Sequence, residues 1–153
     1  MTYLAEIIQP GETVRHTGRL HWIIYLRGAA MMIGFAILYV LASSSSLGVT
    51  PLMFVLTVFA EFVGLALLVD AAVRQATTEI FVTDRRAILK TGFIARRTFE
   101  MNMDKIESVD VSQSILGRML DYGTVVLRGT GQGVEPLKTV SEPVALRKAV
   151  TAS

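Results

Sequence analysis

Polar positions almost vanish between residues 22 and 69 and return in alternation on either side. Residues 22–42, WIIYLRGAAMMIGFAILYVLA, carry one charge, Arg27, near their start. About 21 residues at 1.5 Å each reach ~31 Å, enough to cross a bilayer core. Residues 47–69, LGVTPLMFVLTVFAEFVGLALLV, form a second such run with one charge, Glu61. Four serines, 43–46, join them, which is room for a tight turn only. The pattern predicts a two-helix transmembrane hairpin with both chain ends on one side. A cleavable signal is the competing reading of the first run, with Leu41-Ala42-Ser43 as its cleavage site. The long leading segment with Glu6 and Glu12, and a second span directly behind, argue against it.

From Arg74 onward the period shortens to short β-prone runs with turns every eight to twelve residues. Strands are expected at 77–83, 86–90, 93–101, 105–113, 123–128 and 135–140. The alternation over 105–113 slips in phase at its end, as a bulge would cause. Residues 114–120, SILGRML, suit one helical turn capped by Ser114. Ser141 is expected to cap a terminal helix with Glu142 and Pro143 in its first turn and Val144, Leu146, Ala149 and Val150 on its apolar face. Residues 12–20, opened by Pro10-Gly11, also read as a strand. If that strand joins the sheet, the membrane hairpin is an insertion between strands one and two. The domains are then an arm (1–21), two spans (22–42 and 47–69) and a β domain (74–153).

Composition agrees: 52% of the 153 residues are hydrophobic, above the usual share for a soluble domain. With no cysteine, disulfides and cysteine metal sites are excluded. His16 and His21 have no partner ligands nearby, so no metal is expected. The net charge is only +2, but its distribution sets an orientation. Arg15, Arg19 and Arg27 precede or open the first span, none lies in the loop, and all other Lys and Arg follow the second span. The positive-inside rule then places both termini in the cytoplasm. His21, Trp22 and Tyr25 fall where an interfacial aromatic belt is expected. Glu61, deep in the second span, invites a partner. It and Arg27 differ in depth by roughly one helical turn, so they are a candidate intramembrane charge pair. Asp70 and Arg74 form a further i,i+4 pair. Gly28, Gly34 and Gly64, with Ala29, Ala30 and Ala36, suit close helix approach.

The stretch 83–97, TDRRAILKTGFIARR, holds the doublets Arg85-Arg86 and Arg96-Arg97. With Thr91-Gly92 as a two-residue turn, Lys90 pairs with Phe93, Ala87 with Arg96, and Arg86 with Arg97. Both doublets then meet at one end, a repulsive arrangement that needs negative charge. Glu79, Asp84, Glu100 and Asp104 are internal candidates, and anionic lipid head groups are external ones. Arg85, Arg86, Lys90, Arg96 and Arg97 are therefore the candidate anion- or lipid-binding residues. GTGQG at 129–133 lacks the GK[ST] ending of a phosphate loop and reads as a hairpin turn. Basic and acidic residues are too balanced after Arg74 for nucleic-acid binding. No catalytic arrangement of serine, histidine and acid is present in the sequence, and no cofactor is expected.

PGE at 10–12, HW at 21–22, VTDRRAILKTGFIARRTFEM at 82–101, DKIESVDVSQSILGRMLDYGTVVLRGTG at 104–131 and EPLKTVSEP at 135–143 together resemble the bacterial pleckstrin-homology-like membrane proteins (the bacterial PH domain, YdbS-like group). The resemblance covers most of the chain. It implies a membrane α+β protein: a PH-like antiparallel β-barrel or sandwich closed by a C-terminal α-helix, tethered at the inner face of a bacterial membrane. It carries no catalytic residues and no agreed ligand. The expected function is a non-enzymatic membrane-tethered binding or scaffold module. The alternatives are an anionic-lipid surface sensor acting through the basic hairpin and an oligomeric transporter or channel subunit using Glu61. Expected partners are the bilayer, its anionic head groups, and a membrane protein or a second copy.

Overall fold

The computed structural model describes residues 8–45, 49–92, 97–130 and 134–151. The chain divides into two compact units, residues 22–74 and the joined segments Met1–His21 and Gln75–Ser153. The described part of the N-terminal arm, residues 8–21, thus belongs to the β domain.

The first unit opens with a 3₁₀ turn, Trp22–Tyr25, that runs into α1, Leu26–Ser44. The serines do not turn the chain at residue 43. Ser43 and Ser44 donate their hydroxyls to Val40 O at 2.8 Å each, and the helix continues through them. Helix α2, Pro51–Thr77, starts with Pro51 in its first turn and Thr50 Oγ1 accepting from Met53 N at 3.2 Å. Leu47 and Gly48, the expected start of the span, lie outside the described residues. The helix also outlasts the apolar run, because Ala71, Ala72, Arg74, Gln75 and Ala76 are good helix formers. Asp70 and Arg74 pair there at 2.9 Å, both well exposed, so the pair adds little.

Gly28 and Gly64 bring α1 and α2 into backbone contact. A Cβ on Gly28 would stand 2.9 Å from Gly64 O, and one on Gly64 would strike Met32 Cγ. Gly34 faces open space. Ala60, Gly64 and Ala71 are the buried residues of α2. Large apolar side chains point outward elsewhere: Ile33, Leu38, Leu52, Phe59 and Phe62 are all more than half exposed. Both helices are long and apolar enough to cross a membrane, and little of either is buried.

The β domain contains β1 (Val14–Gly18), β2 (Glu79–Thr83), β3 (Arg86–Thr91), β4 (Arg97–Asn102), β5 (Ile106–Ser112), β6 (Tyr122–Gly129) and β7 (Val134–Ser141). Helix α3, Ile115–Met119, precedes β6, and α4, Pro143–Thr151, follows β7. The strands form two antiparallel sheets in the orders β1-β2-β3-β4 and β5-β6-β7. A 3₁₀ turn at Met103–Lys105 makes one corner between them, and a bridge between Leu20 and Val140 makes another. The sheets form an open sandwich, not a closed barrel.

Between the sheets lie Ile80, Val82, Ala87, Leu89, Val125, Leu127, Leu137 and Val140, covered by Leu146 and Val150 of α4. The space left in this core is about 10 Å³, too small for a ligand. Val144, expected on the buried face of α4, is 45% exposed, and Pro143 takes its place. Glu142 stands before the helix at φ +52°. The bulge expected late in β5 sits at its start, between Ile106 and Ser108.

The register of the β3–β4 hairpin differs from the expected one. Arg86 pairs with Asn102 and Thr91 with Arg97, so the connection runs from residue 92 to 96. A two-residue type I′ turn needs positive φ at both central positions, and a β-branched Thr91 resists that. Thr91 stays in the strand, and Gly92 alone takes φ +96°. Residues 93–96, Arg96 among them, lie outside the described residues, as do 131–133 of the glycine-rich turn. Arg86 and Arg97 therefore occupy opposite ends of the hairpin, about 17 Å apart along β3.

Candidate functional site

Three groups of side chains bear on function: the Arg85–Arg86 corner, the end of the β domain where the chain leaves for the apolar helices, and a groove between the two sheets.

At the corner, Thr83 ends β2 and Arg86 opens β3. Thr83 Oγ1 accepts from the backbone N–H groups of Arg85 and Arg86 at 3.2 and 3.0 Å, which fixes the turn. Its proton goes to Glu12 Oε1 at 2.7 Å. The Arg86 guanidinium grips Glu12 from two sides, Nε to Oε1 and Nη2 to Oε2, both at 3.0 Å. Its Nη1 donates to Glu100 Oε2 at 2.8 Å. Gln9 N–H adds a bond to Glu12 Oε2 at 3.0 Å. The Glu12 side chain is fully covered, and that of Arg86 is 14% exposed. The hydrogen bonds from Arg86 hold the Glu12 carboxyl at a pKa of about 2, overcoming the opposite effect of burial. The same pairing raises the Arg86 pKa.

Arg86 is therefore saturated by carboxylates of its own chain, and it is not free for an external anion. Its main partner, Glu12, was not among the four carboxylates expected, because 74 residues including both apolar helices separate them. The one sequence signal was the PGE turn: Gly11 takes φ +85° and swings Glu12 under the corner. Of the expected four, Glu100 does bind Arg86. Glu79 lies 3.5 Å from Lys90, its register partner, although its buried Oε2 makes no hydrogen bond. Asp84 instead accepts from Thr13 N at 3.0 Å. Arg85 and Arg97 are exposed, and no ion pair involves either among the described residues.

The strand order orients the domain. β1 leads to His21 and β2 follows Gln75, whose Nε2 donates to Leu20 O at 3.2 Å. The two points where the chain leaves the β domain are thus adjacent. Register places Gly18, Ile80, Leu89 and Lys90 toward this end, and Thr91 and Arg97 beyond them. Arg85 and Arg86 lie at the far end.

His21, expected at a membrane interface, is packed into the β domain. It is 8% exposed, its ring stacks on Tyr122 at 5.2 Å, and its backbone N–H donates to Thr139 O at 2.8 Å. Thr139 holds an unfavourable φ of +59° to present that carbonyl. Trp22 is 54% exposed and Tyr25 half-buried. Arg27 is exposed and Glu61 half-buried, and no ion pair joins them among the described residues.

β4 and β5 are outer strands of their sheets. Beside them opens a groove of about 390 Å³ lined by Phe99, Glu100, Met101, Asn102, Lys105 and Thr130. Sequence reading missed it because it arises where the two sheets diverge. It brings together an outer strand edge, a mainly polar lining with Phe99 and Met101 as its apolar members, and the exposed Lys105, for which no ion pair is formed among the described residues.

A family model described as "Bacterial PH domain" matches residues 23–152, most of the chain. No curated protein and no solved structure matches.

Proposed function

The chain belongs to the bacterial PH domain family, and from that premise we propose a non-enzymatic binding or scaffold module tethered to a membrane. The tether is the α1–α2 hairpin, lying in the cytoplasmic membrane of a bacterium with both termini and the β domain on the cytoplasmic side. Support comes from the outward-facing apolar surface of both helices, which water would penalise and lipid would not. The charge distribution supports the orientation.

The observation that carries the binding role is the groove beside β4 and β5, set against a core with about 10 Å³ to spare. Any ligand of appreciable size must bind on the surface, and the groove offers a strand edge to pair with. Glu12 and Arg86 bond each other and hold the segment ahead of β1 to the corner. We take the groove's occupant to be a segment of a membrane or membrane-associated protein.

Site-specific photocrosslinking in native membranes tests this. A benzophenone residue replacing Lys105 in the full-length chain should give a discrete protein adduct. The same residue replacing Lys148, exposed on α4, should not. Equal yields at the two positions, or none at Lys105, would overturn the groove as the binding site.

A further inference from the structure

Helix α3 is the anomaly of the β domain surface. Ile115 is 84% exposed, Met119 76%, Leu116 62% and Leu120 40%. Four large apolar side chains within six residues face outward on a segment of one and a half turns. Such a cluster is normally covered by something. The segment is not loose. Ser114 Oγ accepts from Gly117 N at 3.0 Å, and Gln113 Nε2 donates to the carbonyls of Gly117 and Tyr122 at 3.3 and 3.2 Å. Gly117 is the buried residue of the turn, where a Cβ would stand 2.6 Å from Tyr122 O. A fixed base therefore holds the apolar side chains out.

Its position within the β domain narrows what could cover it. Tyr122, three residues after Met119, stacks on His21, the residue immediately before the apolar helices begin. The knob thus stands at the end of the β domain from which the chain departs toward α1 and α2. Asp121 reverses the chain at φ +55° and keeps α3 beside that exit. Arg118, between Leu116 and Met119, is exposed and fits a surface of anionic head groups.

We propose that α3 inserts into the interfacial layer of the same bilayer that holds the helices. Ile115, Leu116, Met119 and Leu120 enter the acyl boundary and Arg118 lies among the head groups. This rests on the membrane reading above. It makes the β domain a body held to the lipid surface at two places, the helix pair and the α3 knob, with the β4–β5 groove left for a partner.

The chain has no cysteine, so single introduced cysteines can carry an environment-sensitive fluorophore. The full chain is reconstituted in vesicles containing brominated lipid, with labels at Leu38→Cys in α1, Met119→Cys in α3 and Glu107→Cys, exposed in β5 about 20 Å down the strand from Gln113. An apolar face ~5–10 Å into the interface should be quenched at least about twofold more than the Glu107 site. Anionic lipid should deepen the quenching at Met119→Cys. Adding Met119→Asp to a label at Ile115→Cys should return quenching to the level of Glu107→Cys. Both side chains are exposed, so folding is spared.

The outcomes separate. An unquenched Leu38→Cys overturns the membrane reading itself. A quenched Leu38→Cys with Met119→Cys equal to Glu107→Cys overturns the α3 inference alone. Equal quenching at all three positions also overturns it, since the contact is then not confined to α3. Efficient Met119→Cys disulfide crosslinking between two copies without lipid quenching would assign the knob to a second chain instead.

Discussion

Replacing Glu12 by glutamine removes the charge that answers Arg86. The consequence follows from the geometry: two hydrogen bonds at 3.0 Å from Arg86 and a carboxylate fully covered by its neighbours. Removing one partner of such a pair costs about 3–5 kcal/mol, because the other charge stays behind unpaired. The depressed pKa gives a consistent figure. Moving Glu12 from 4.5 to about 2 corresponds to roughly 3 kcal/mol at neutral pH, at about 1.4 kcal/mol per pKa unit. Glu100 remains bonded to Arg86 Nη1 and holds the loss toward the lower end. Amide hydrogen exchange of the full chain in detergent micelles reads this within the β domain, where a thermal melt would mix in the helices. Amides of β2 and β3 should exchange on the order of a hundredfold faster in Glu12→Gln. Replacing both partners by methionine should lose less than Glu12→Gln alone, since no orphan charge remains. An acceleration below about fivefold, or a double variant whose loss equals the sum of the singles, would refute the assignment of the corner as a buried ion-pair latch.

The same pair sets a pH window: its contribution is full above about pH 4.5 and lost as pH falls from there toward 2, because the folded-state pKa lies below the ordinary value; protection of β2 amides, taken relative to intrinsic exchange at each pH, should fall through that window in the native chain and fall less in Glu12→Gln. Gly28→Ala should splay the helix pair, costing roughly 1–3 kcal/mol from its approach to Gly64 O, whereas Gly34→Ala, facing open space, should be neutral or gain up to about 1 kcal/mol; spin-label distances between α1 and α2 distinguish them. Ser114→Ala should cost about 1 kcal/mol and loosen α3, seen as faster exchange at Gly117 N–H. In nanodiscs, anionic lipid should slow exchange at the Arg97 end of β4 and Arg97→Glu should cancel the effect, while Arg85→Glu, at the far end of the sheet, leaves it unchanged.

Much of the fold was legible because two periods dominate the chain. Unbroken hydropathy marked α1 and α2, and short β-prone runs between turn signals marked the seven described strands, including β1 ahead of the helices. Local chemistry marked the α3 cap, with Ser114 bonding Gly117 as expected. What failed depended on register or on contacts distant in sequence. Thr91-Gly92 carried a turn signal, and Gly92 does take a positive φ, but Thr91 pairs with Arg97 and Arg86 with Asn102, so Arg86 and Arg97 part company. The partner of Arg86 was hidden 74 residues upstream. Like charges directly opposite one another would need neutralising, but the residue opposite Arg86 is Asn102. His21 looked interfacial beside Trp22 because sequence proximity cannot show that its ring stacks on Tyr122. The α3 knob was visible only as a capped turn. Its exposure emerged once Gly117 was seen to take the buried position and leave the large side chains outside.

Placement of the PH-like domain on the cytoplasmic side of a membrane tether can be tested in intact cells with single cysteines in the cysteine-free chain. Ser45→Cys lies at the α1–α2 link, and Glu107→Cys lies on the β domain. An impermeant maleimide added outside spheroplasts should label Ser45→Cys at once and Glu107→Cys only after the membrane is opened. Labelling of Glu107→Cys in sealed spheroplasts, or recovery of the chain in the soluble fraction, would contradict a cytoplasmic domain on a membrane tether.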